Sequence, residues 1–146
     1  MVETFPEGAD VHALYPVNGD VNFERSNFPF SSDIVTSTYD YFEFDKGRDS
    51  RNKDVAEVRD AVKGDVARSI FYMMLTYNGK YFENWGFDNL LSDAENQDIQ
   101  ELINWHNQDP VDGLEIARHE FVVNEQNNRN PFIDFPQLVD CIDFSD

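Results

Sequence analysis

The chain has 146 residues, a formal net charge of −18, and 40% hydrophobic and 14% aromatic residues. This length and apolar content are enough to bury a core, so we expect one domain over residues 1–146. No apolar run approaches the roughly 20 residues that span a bilayer, Cys141 alone excludes an intrachain disulfide, and Met1–Ala9 has no signal-peptide pattern.

The charge is unevenly distributed along the chain. Residues 46–68 hold five acids and seven bases, whereas residues 83–146 hold fifteen acids and two bases. Phosphate binding normally needs a basic surface, so the overall acidity argues against casual nucleic-acid binding. Any polyanion would meet the protein at residues 46–68, and the alternative is that this segment is an ordinary solvated loop.

The N-terminal part is predicted to contain little regular structure. Val11–Tyr15 has the pattern of a short strand, and Asn18-Gly19 is a strong turn signal. The aromatic residues of 38–44 predict a strand. The polar stretch 45–54 predicts a surface loop.

Helices are predicted for the rest of the chain. Asp65 can cap a helix over 66–77 that Asn78-Gly79 closes. A capping box at residues 92–95 precedes a second helix, and Asp109 with Pro110 can begin a third. The predicted inward residues are Ile99, Leu102, Ile103 and His106 on the second helix, and Val111, Leu114, Phe121 and Val122 on the third.

A short final helix is predicted from Asp134 through Ile142. The sum is an α+β domain that is mostly α-helical, with little strand near its N-terminus. His106 lies on the apolar face of its helix and is predicted to be a core histidine, whereas His119, beside Glu120, is predicted to be solvated. Generic motifs give no site, since the sequence has no glycine-rich phosphate loop, paired-cysteine zinc site or H-E-x-x-H.

Four sequence blocks in a fixed order are more specific. They are Asp10-Val11-His12-Ala13-Leu14-Tyr15-Pro16 with Val21-Asn22 and Arg25-Ser26-Asn27-Phe28-Pro29-Phe30; Lys63-Gly64-Asp65-Val66-Ala67-Arg68; Trp105-His106-Asn107-Gln108-Asp109-Pro110-Val111; and Asn128-Arg129-Asn130-Pro131-Phe132-Ile133-Asp134. Together they resemble the endonuclease I family of secreted and periplasmic bacterial nucleases. The blocks span residues 10–136, nearly the whole chain.

The resemblance implies a helical scaffold with a partial ββα-metal, or His-Me finger, motif near the N-terminus. In that family a Glu-His segment supplies a metal ligand and the general base, and an asparagine oxygen binds the same Mg²⁺. By block position Asn22 matches the metal-binding asparagine. The alternatives are that the Asn22 side chain caps a helix after the Asn18-Gly19 turn, and that Asn27, otherwise a structural cap, is the ligand.

The chain also departs from the family pattern. The family's E-H-x-x-P segment lies some thirty or more residues before the block at Asp10, and Met1–Ala9 does not match it, so we expect a domain truncated at its N-terminus. His12 matches a histidine that is not the family's base, which leaves the catalytic residue unknown. Asn127 and Phe135 stand where the family usually has glycine and histidine.

Two interpretations follow. The predicted partner is nucleic acid in the first and a basic protein in the second, and neither involves a membrane. The first is a metal-dependent, non-specific endonuclease for DNA or RNA, with Arg25, Lys63 and Arg68 as phosphate contacts. The second is an inactive, nuclease-derived binding module whose acidic surface suits a basic protein partner. A third, an unrelated acidic protein that mimics DNA charge, does not explain the ordered blocks. The resemblance implies a secreted or periplasmic protein, although no signal peptide is visible in this chain.

Overall fold

The structure, a computed structural model, describes residues 9–77 and 97–144. Within these ranges the helices outweigh one small antiparallel sheet, which confirms the predicted, mostly helical α+β class. No helix in the described ranges is long and apolar enough to cross a membrane. The helices are α1 (Gly19–Arg25), α2 (Lys63–Tyr77), α3 (Ile99–Gln108), α4 (Gly113–Gln126) and α5 (Pro131–Asp134), and the strands are β1 (Thr36–Tyr41), β2 (Phe44–Arg48) and β3 (Asp54–Glu57).

The sheet is a meander in the order β1-β2-β3 with β2 in the centre. A tight turn that contains Phe42, at a left-handed φ of 53°, joins β1 to β2. The prediction of one strand over 38–44 and a loop over 45–54 is therefore wrong in part, because β2 runs through the predicted loop. The charged residues Lys46 and Arg48 fit in this strand because an antiparallel sheet can keep one face solvated.

The N-terminal segment curls instead of extending. Val11–Ala13 form one 3-10 turn rather than the predicted strand, because the Asp10 carboxylate accepts a 2.9 Å hydrogen bond from the backbone N–H of His12. The predicted turn at Asn18-Gly19 is the start of α1. The Asn18 side chain accepts hydrogen bonds from two backbone N–H groups in the first turn of that helix.

The hydrophobic core lies between α2, α3 and the C-terminal segment. The rings of Phe71 and Phe144 stack with their centroids 4.6 Å apart, and the Phe132 ring is 5.6 Å from Phe71. Trp105 is 1% exposed, and its indole N–H donates a 2.8 Å hydrogen bond to Ser32 Oγ. Trp105 and Phe132 are therefore fully buried core residues.

The helix starts differ from the predicted ones. α2 begins three residues before the predicted start, and α3 begins after Asp98, whose carboxylate accepts from two backbone N–H groups. The predicted capping box at 92–95 and the predicted helix end at 78–79 lie outside the described residues. α4 begins after Asp112 and not after Asp109, because Asp109 Oδ2 instead accepts a 2.9 Å hydrogen bond from the backbone N–H at the start of α2.

The inner face of α4 is polar, which corrects the predicted apolar face. Leu114 and Phe121 are 77% and 62% exposed, so their predicted inward orientation is wrong, while Val122 is buried as predicted. The residues that face inward with Val122 are Glu115 and His119, both 1% exposed. Hydrophobic spacing failed here because these polar groups meet partners on other elements.

Asn130 caps the first helix of the C-terminal segment. Its Oδ1 accepts a 2.9 Å hydrogen bond from the Phe132 backbone N–H and starts α5, with Pro131 at the first helical position. The predicted final helix through Ile142 is shorter than expected, a 3-10 helix over Pro136–Cys141 that follows a break at Phe135.

Truncation of a core aromatic residue tests this packing. We expect Trp105→Ala or Phe132→Ala to lower the free energy of unfolding by about 3–5 kcal/mol, because each leaves a large cavity. Urea unfolding followed by far-ultraviolet circular dichroism measures the change. The control, Phe121→Ala, removes an exposed ring of the same kind and should unfold like the parent. Parent-like unfolding of both core variants would contradict the assigned core.

Candidate functional site

Helix α1 carries the predicted metal ligand on an accessible face. Asn22 is exposed, and among the described residues its side-chain amide has no hydrogen-bond partner. The alternative in which Asn22 caps the helix is wrong, because Asn18 does so. A neutral amide oxygen that faces solvent is available to a hard cation. The metal-binding role itself stays a prediction.

Arg25 lies one helical turn after Asn22, so both side chains are on the same side of α1. Its guanidinium lies 4.5 Å from the centroid of the Phe30 ring and donates a 3.1 Å hydrogen bond to the Ser26 carbonyl oxygen. Its Nε is buried without a partner, and no carboxylate within the described residues pairs with it. Burial lowers the pKa of Arg25, but a guanidinium remains charged. Within residues 9–77 and 97–144 the geometry therefore leaves this cation without an anion.

Lys63, in contrast, is already neutralised. It is 4% exposed, and its ammonium group lies 2.6 Å from Glu57 Oε1 and 2.7 Å from Asp60 Oδ1. The same group lies 5.4 Å from the Trp105 ring, over the core. Lys63 thus joins the start of α2 to β3, and contact with a phosphate, which stays a prediction, would require these ion pairs to open.

Arg68 is still more deeply buried. Its side chain is 0% exposed and makes two 2.7 Å contacts with Glu115, whose side chain is also 0% exposed. Arg68 Nη1 also donates a 2.9 Å hydrogen bond to the Asp109 carbonyl oxygen. Burial raises the pKa of Glu115, and the Arg68 charge opposes that rise. Arg68 therefore offers no surface to a ligand in this arrangement, and its predicted substrate contact stays untested.

The basic segment 46–68 carries much less free charge than its composition suggests. Lys46 pairs with Glu24 at 2.9 Å, and Arg51 pairs with Asp49 at 2.7 Å. Among the described residues the exposed Arg59 has no ion pair. Solvated but mostly paired cations fit the predicted alternative of an ordinary surface segment.

A buried hydrogen-bond network anchors the segment that leads to α1. Asp10 is 4% exposed, and its Oδ2 accepts 2.7 Å hydrogen bonds from the hydroxyls of Tyr72 and Tyr77. Its Oδ1 accepts from Gln126 Nε2 at 2.7 Å. Burial acts to raise the pKa of Asp10, but hydrogen bonds led by those from Tyr72 and Gln126 lower it further. The first sequence block is therefore tied to α2 and α4.

The three histidines are all buried, so none of them is available at the protein surface. His12 is 1% exposed, with Nε2 3.2 Å from the Asn128 carbonyl oxygen. His106 is 8% exposed, which confirms the predicted core histidine. The prediction that His119 is solvated is wrong, since it packs against His12 with ring centroids 5.4 Å apart.

His119 belongs to a second cluster that the sequence analysis missed. Its Nε2 lies 3.3 Å from Asp134 Oδ1, and one ligand atom each from His119, Glu120 and Asp134 lies within 4.8 Å of the others. Among the described residues this is the one group of three such side chains close enough to share a cation. Burial lowers the pKa of His119, which favours its neutral form. The fourteen residues between His119 and Asp134 hid the cluster, which exists only because α5 folds back against α4.

Comparison with known proteins places the chain. The family model for Endonuclease I matches residues 3–137. An extracellular ribonuclease of Bacillus amyloliquefaciens is 36% identical over 147 residues, covering 92% of this chain and 46% of the relative. An extracellular deoxyribonuclease of Aeromonas hydrophila is 30% identical over 125 residues, covering 86% of this chain and 49% of the relative. Endonuclease-1 of Buchnera aphidicola subsp. Acyrthosiphon pisum is 28% identical, covering 86% of this chain and 44% of the relative.

These matches define a nuclease-type scaffold. The chain belongs to the endonuclease I family, as its four sequence blocks predicted. It spans about half the length of the curated relatives that it matches.

The Asp10 network predicts a specific pH dependence. A carboxyl group whose pKa is lower in the folded chain than its usual 3.8 stabilises the fold above that value and loses this contribution as the pH falls below it. We expect Asp10→Asn to lower the free energy of unfolding by about 1–3 kcal/mol at pH 6, with the difference from the parent shrinking at pH 3 and below. Urea unfolding of both proteins across this range measures it.

The matched control is Asp40→Asn, which removes an exposed carboxylate on β1 and should unfold like the parent at pH 6. A difference between Asp10→Asn and the parent that stays constant from pH 6 to pH 2 would contradict a lowered pKa.

Proposed function

We propose that this chain is part of a metal-dependent nuclease that hydrolyses phosphodiester bonds of DNA or RNA without sequence preference. The observation that carries the proposal is the position on α1 of an exposed amide, Asn22, beside a cation, Arg25, that no carboxylate of the described residues pairs with, in a chain that belongs to a nuclease family. Relatives named as ribonuclease and deoxyribonuclease support both nucleic acids as substrates. Relatives named as extracellular or periplasmic support export.

Asn22 is the residue that would hold Mg²⁺, and its exposed amide oxygen fits a hard cation that keeps several waters. When bound, such a cation stabilises negative charge on the phosphate and on the departing 3′ oxygen. Arg25 would hold a neighbouring phosphate oxygen by charge-assisted hydrogen bonds. The family resemblance assigns proton abstraction to a Glu-His pair, which does not occur among the 146 residues, so that step is assigned to no residue of this chain.

Strand cleavage tests the proposed reaction. We expect the purified chain with Mg²⁺ to nick supercoiled plasmid and to degrade RNA, and a chelator to stop both. Asn22→Ala should raise the Mg²⁺ concentration for half-maximal cleavage by about 10- to 100-fold, because it removes a ligand oxygen. Gel electrophoresis across a Mg²⁺ titration measures the shift.

The control for this experiment is Asn27→Ala, which removes the other candidate asparagine of the same block and should leave the Mg²⁺ dependence unchanged. A shift with Asn27→Ala and none with Asn22→Ala would move the ligand to Asn27. No cleavage by the chain at high concentration, with either Mg²⁺ or Mn²⁺, would contradict nuclease activity in these 146 residues.

Phosphate contact by Arg25 is tested separately, by binding without catalysis. We expect Arg25→Gln to weaken binding of the chain to duplex DNA and to reduce the slope of log affinity against log salt by about one unit, because one phosphate contact is lost. Fluorescence anisotropy in chelator at several salt concentrations measures both. Arg51→Gln, which removes a cation already paired with Asp49, should change the slope little. Equal slopes for the parent and Arg25→Gln would remove Arg25 from the contact.

A second candidate function is an inactive binding module for a basic protein. The net charge of −18 favours it, because an acidic surface attracts a basic partner. It predicts salt-sensitive binding to a basic protein such as a histone, undetectable binding to DNA, and no cleavage under any metal condition. The proposed nuclease function predicts the opposite result for DNA and for cleavage.

A further inference from the structure

The cluster of His119, Glu120 and Asp134 has an unusual feature for a polar group inside a protein. Both ring nitrogens of His119 are buried, and the residue is only 1% exposed; among the described residues Nδ1 has no hydrogen-bond partner, and Nε2 has only the Asp134 carboxylate beside it. A buried imidazole normally satisfies at least one nitrogen. Here Nε2 lies 3.3 Å from Asp134 Oδ1, which is longer than a well-formed N–H···O hydrogen bond. The ring is held in place by α4 and aimed at a carboxylate that comes from α5.

The two carboxylates beside it are bridged by an arginine. Arg129 Nη2 donates a 2.6 Å hydrogen bond to Glu120 Oε1 and a 2.7 Å hydrogen bond to Asp134 Oδ1. Arg129 Nε also donates to Asp134 Oδ2 at 2.7 Å. The side chain of Arg129 is 44% exposed, so it can move into solvent without the loss of a buried contact. The single positive charge of Arg129 thus faces the two negative charges of Glu120 and Asp134.

A divalent cation would satisfy all three groups. One imidazole nitrogen with two carboxylate oxygens and a water is the ligand set of an open tetrahedral zinc site, with bonds near 2.0–2.2 Å. The three ligand atoms already lie within 4.8 Å of one another, so small side-chain movements would close the site. Two carboxylates also match the charge of Zn²⁺ more fully than they match one guanidinium. The mixed nitrogen and oxygen donors favour Zn²⁺ over Mg²⁺.

We propose that His119, Glu120 and Asp134 form a Zn²⁺ site in which Arg129 is the resident competitor of the metal. Bound zinc displaces the Arg129 guanidinium and joins α4 to α5 through three side chains. This site is separate from the Mg²⁺ role proposed for Asn22, and it does not depend on nuclease activity. The arginine makes the site conditional, because the metal must replace two existing ion pairs in order to bind.

Direct metal binding tests the proposal with a readout other than activity. We expect one Zn²⁺ per chain by isothermal titration calorimetry, and the visible absorption of tetrahedral Co²⁺ when cobalt replaces zinc. Glu120→Gln, an exposed position that should not disturb folding, should weaken Zn²⁺ binding by about tenfold or more. His119→Gln should abolish the cobalt absorption. If His119→Gln does not fold, Glu120→Gln and Asp134→Asn carry the test.

Arg129→Gln gives the sharpest outcome, because the proposal expects tighter Zn²⁺ binding when the competitor is removed. A structural role of Arg129 alone would give unchanged or weaker binding. The matched control Glu125→Gln removes another exposed carboxylate of α4 and should leave affinity unchanged. Asn22→Ala should also leave it unchanged. Parent-like Zn²⁺ affinity of Glu120→Gln, unchanged or weaker binding by Arg129→Gln, or an equal loss with Glu125→Gln would each overturn the proposal.

Discussion

The ion pair between Arg68 and Glu115 is the contact on which the helical part of the structure depends. Both side chains are fully buried, and they join α2 to α4. Arg68 makes two further hydrogen bonds. Its Nη1 donates to the carbonyl oxygen of Asp109, which follows α3. The Arg68 carbonyl oxygen accepts from Nδ2 of Asn130, which precedes α5. Removal of the Arg68 charge would leave the Glu115 carboxylate buried without its ion-pair partner, which costs far more than the pair itself contributes.

The position of the Arg68 side chain also explains why residue 64, in the same sequence block, is a glycine. A Cβ atom at Gly64 would overlap the Asp109 carbonyl oxygen and the Arg68 guanidinium. The backbone of α2 must therefore pass directly against the end of α3, and Gly64 allows it. The blocks that identify the family are to this extent folding elements: Lys63 joins α2 to β3, and Arg68 joins α2 to α4. The exposed amide of Asn22 and the Arg25 cation lie on α1.

The sequence predicted the apolar half of the fold well and the polar half poorly. The burial of Leu102 on α3 and of Val122 on α4 follows from hydrophobic spacing, which reflects the removal of apolar surface from water. The same rule wrongly predicted that Leu114 and Phe121 face inward, whereas Glu115 and His119 occupy the inner face of α4. A buried polar group is stable only with a partner on another element, and spacing within one helix carries no information about that partner.

The candidate site residues also divide into those that are close in sequence and those that only the fold brings together. Asn22 and Arg25 are three residues apart, so the sequence could place them together by local geometry, whereas His119 and Asp134 meet only after a reversal of the chain. Capping was a further source of error, because Asp98, Asp109 and Asp112 are chemically equivalent caps. The tertiary hydrogen bond from Gly64 to Asp109 decides which of them starts a helix.

The separation of Arg68 and Glu115 by 47 residues has a consequence for the way the chain acquires its structure. Neither ion gains from shedding its hydration shell alone, so α2 and α4 are expected to dock in a single concerted event rather than by gradual zippering. The chain between them must already be closed into a loop when that happens, which makes this contact a late and slow one compared with the local turns of each helix.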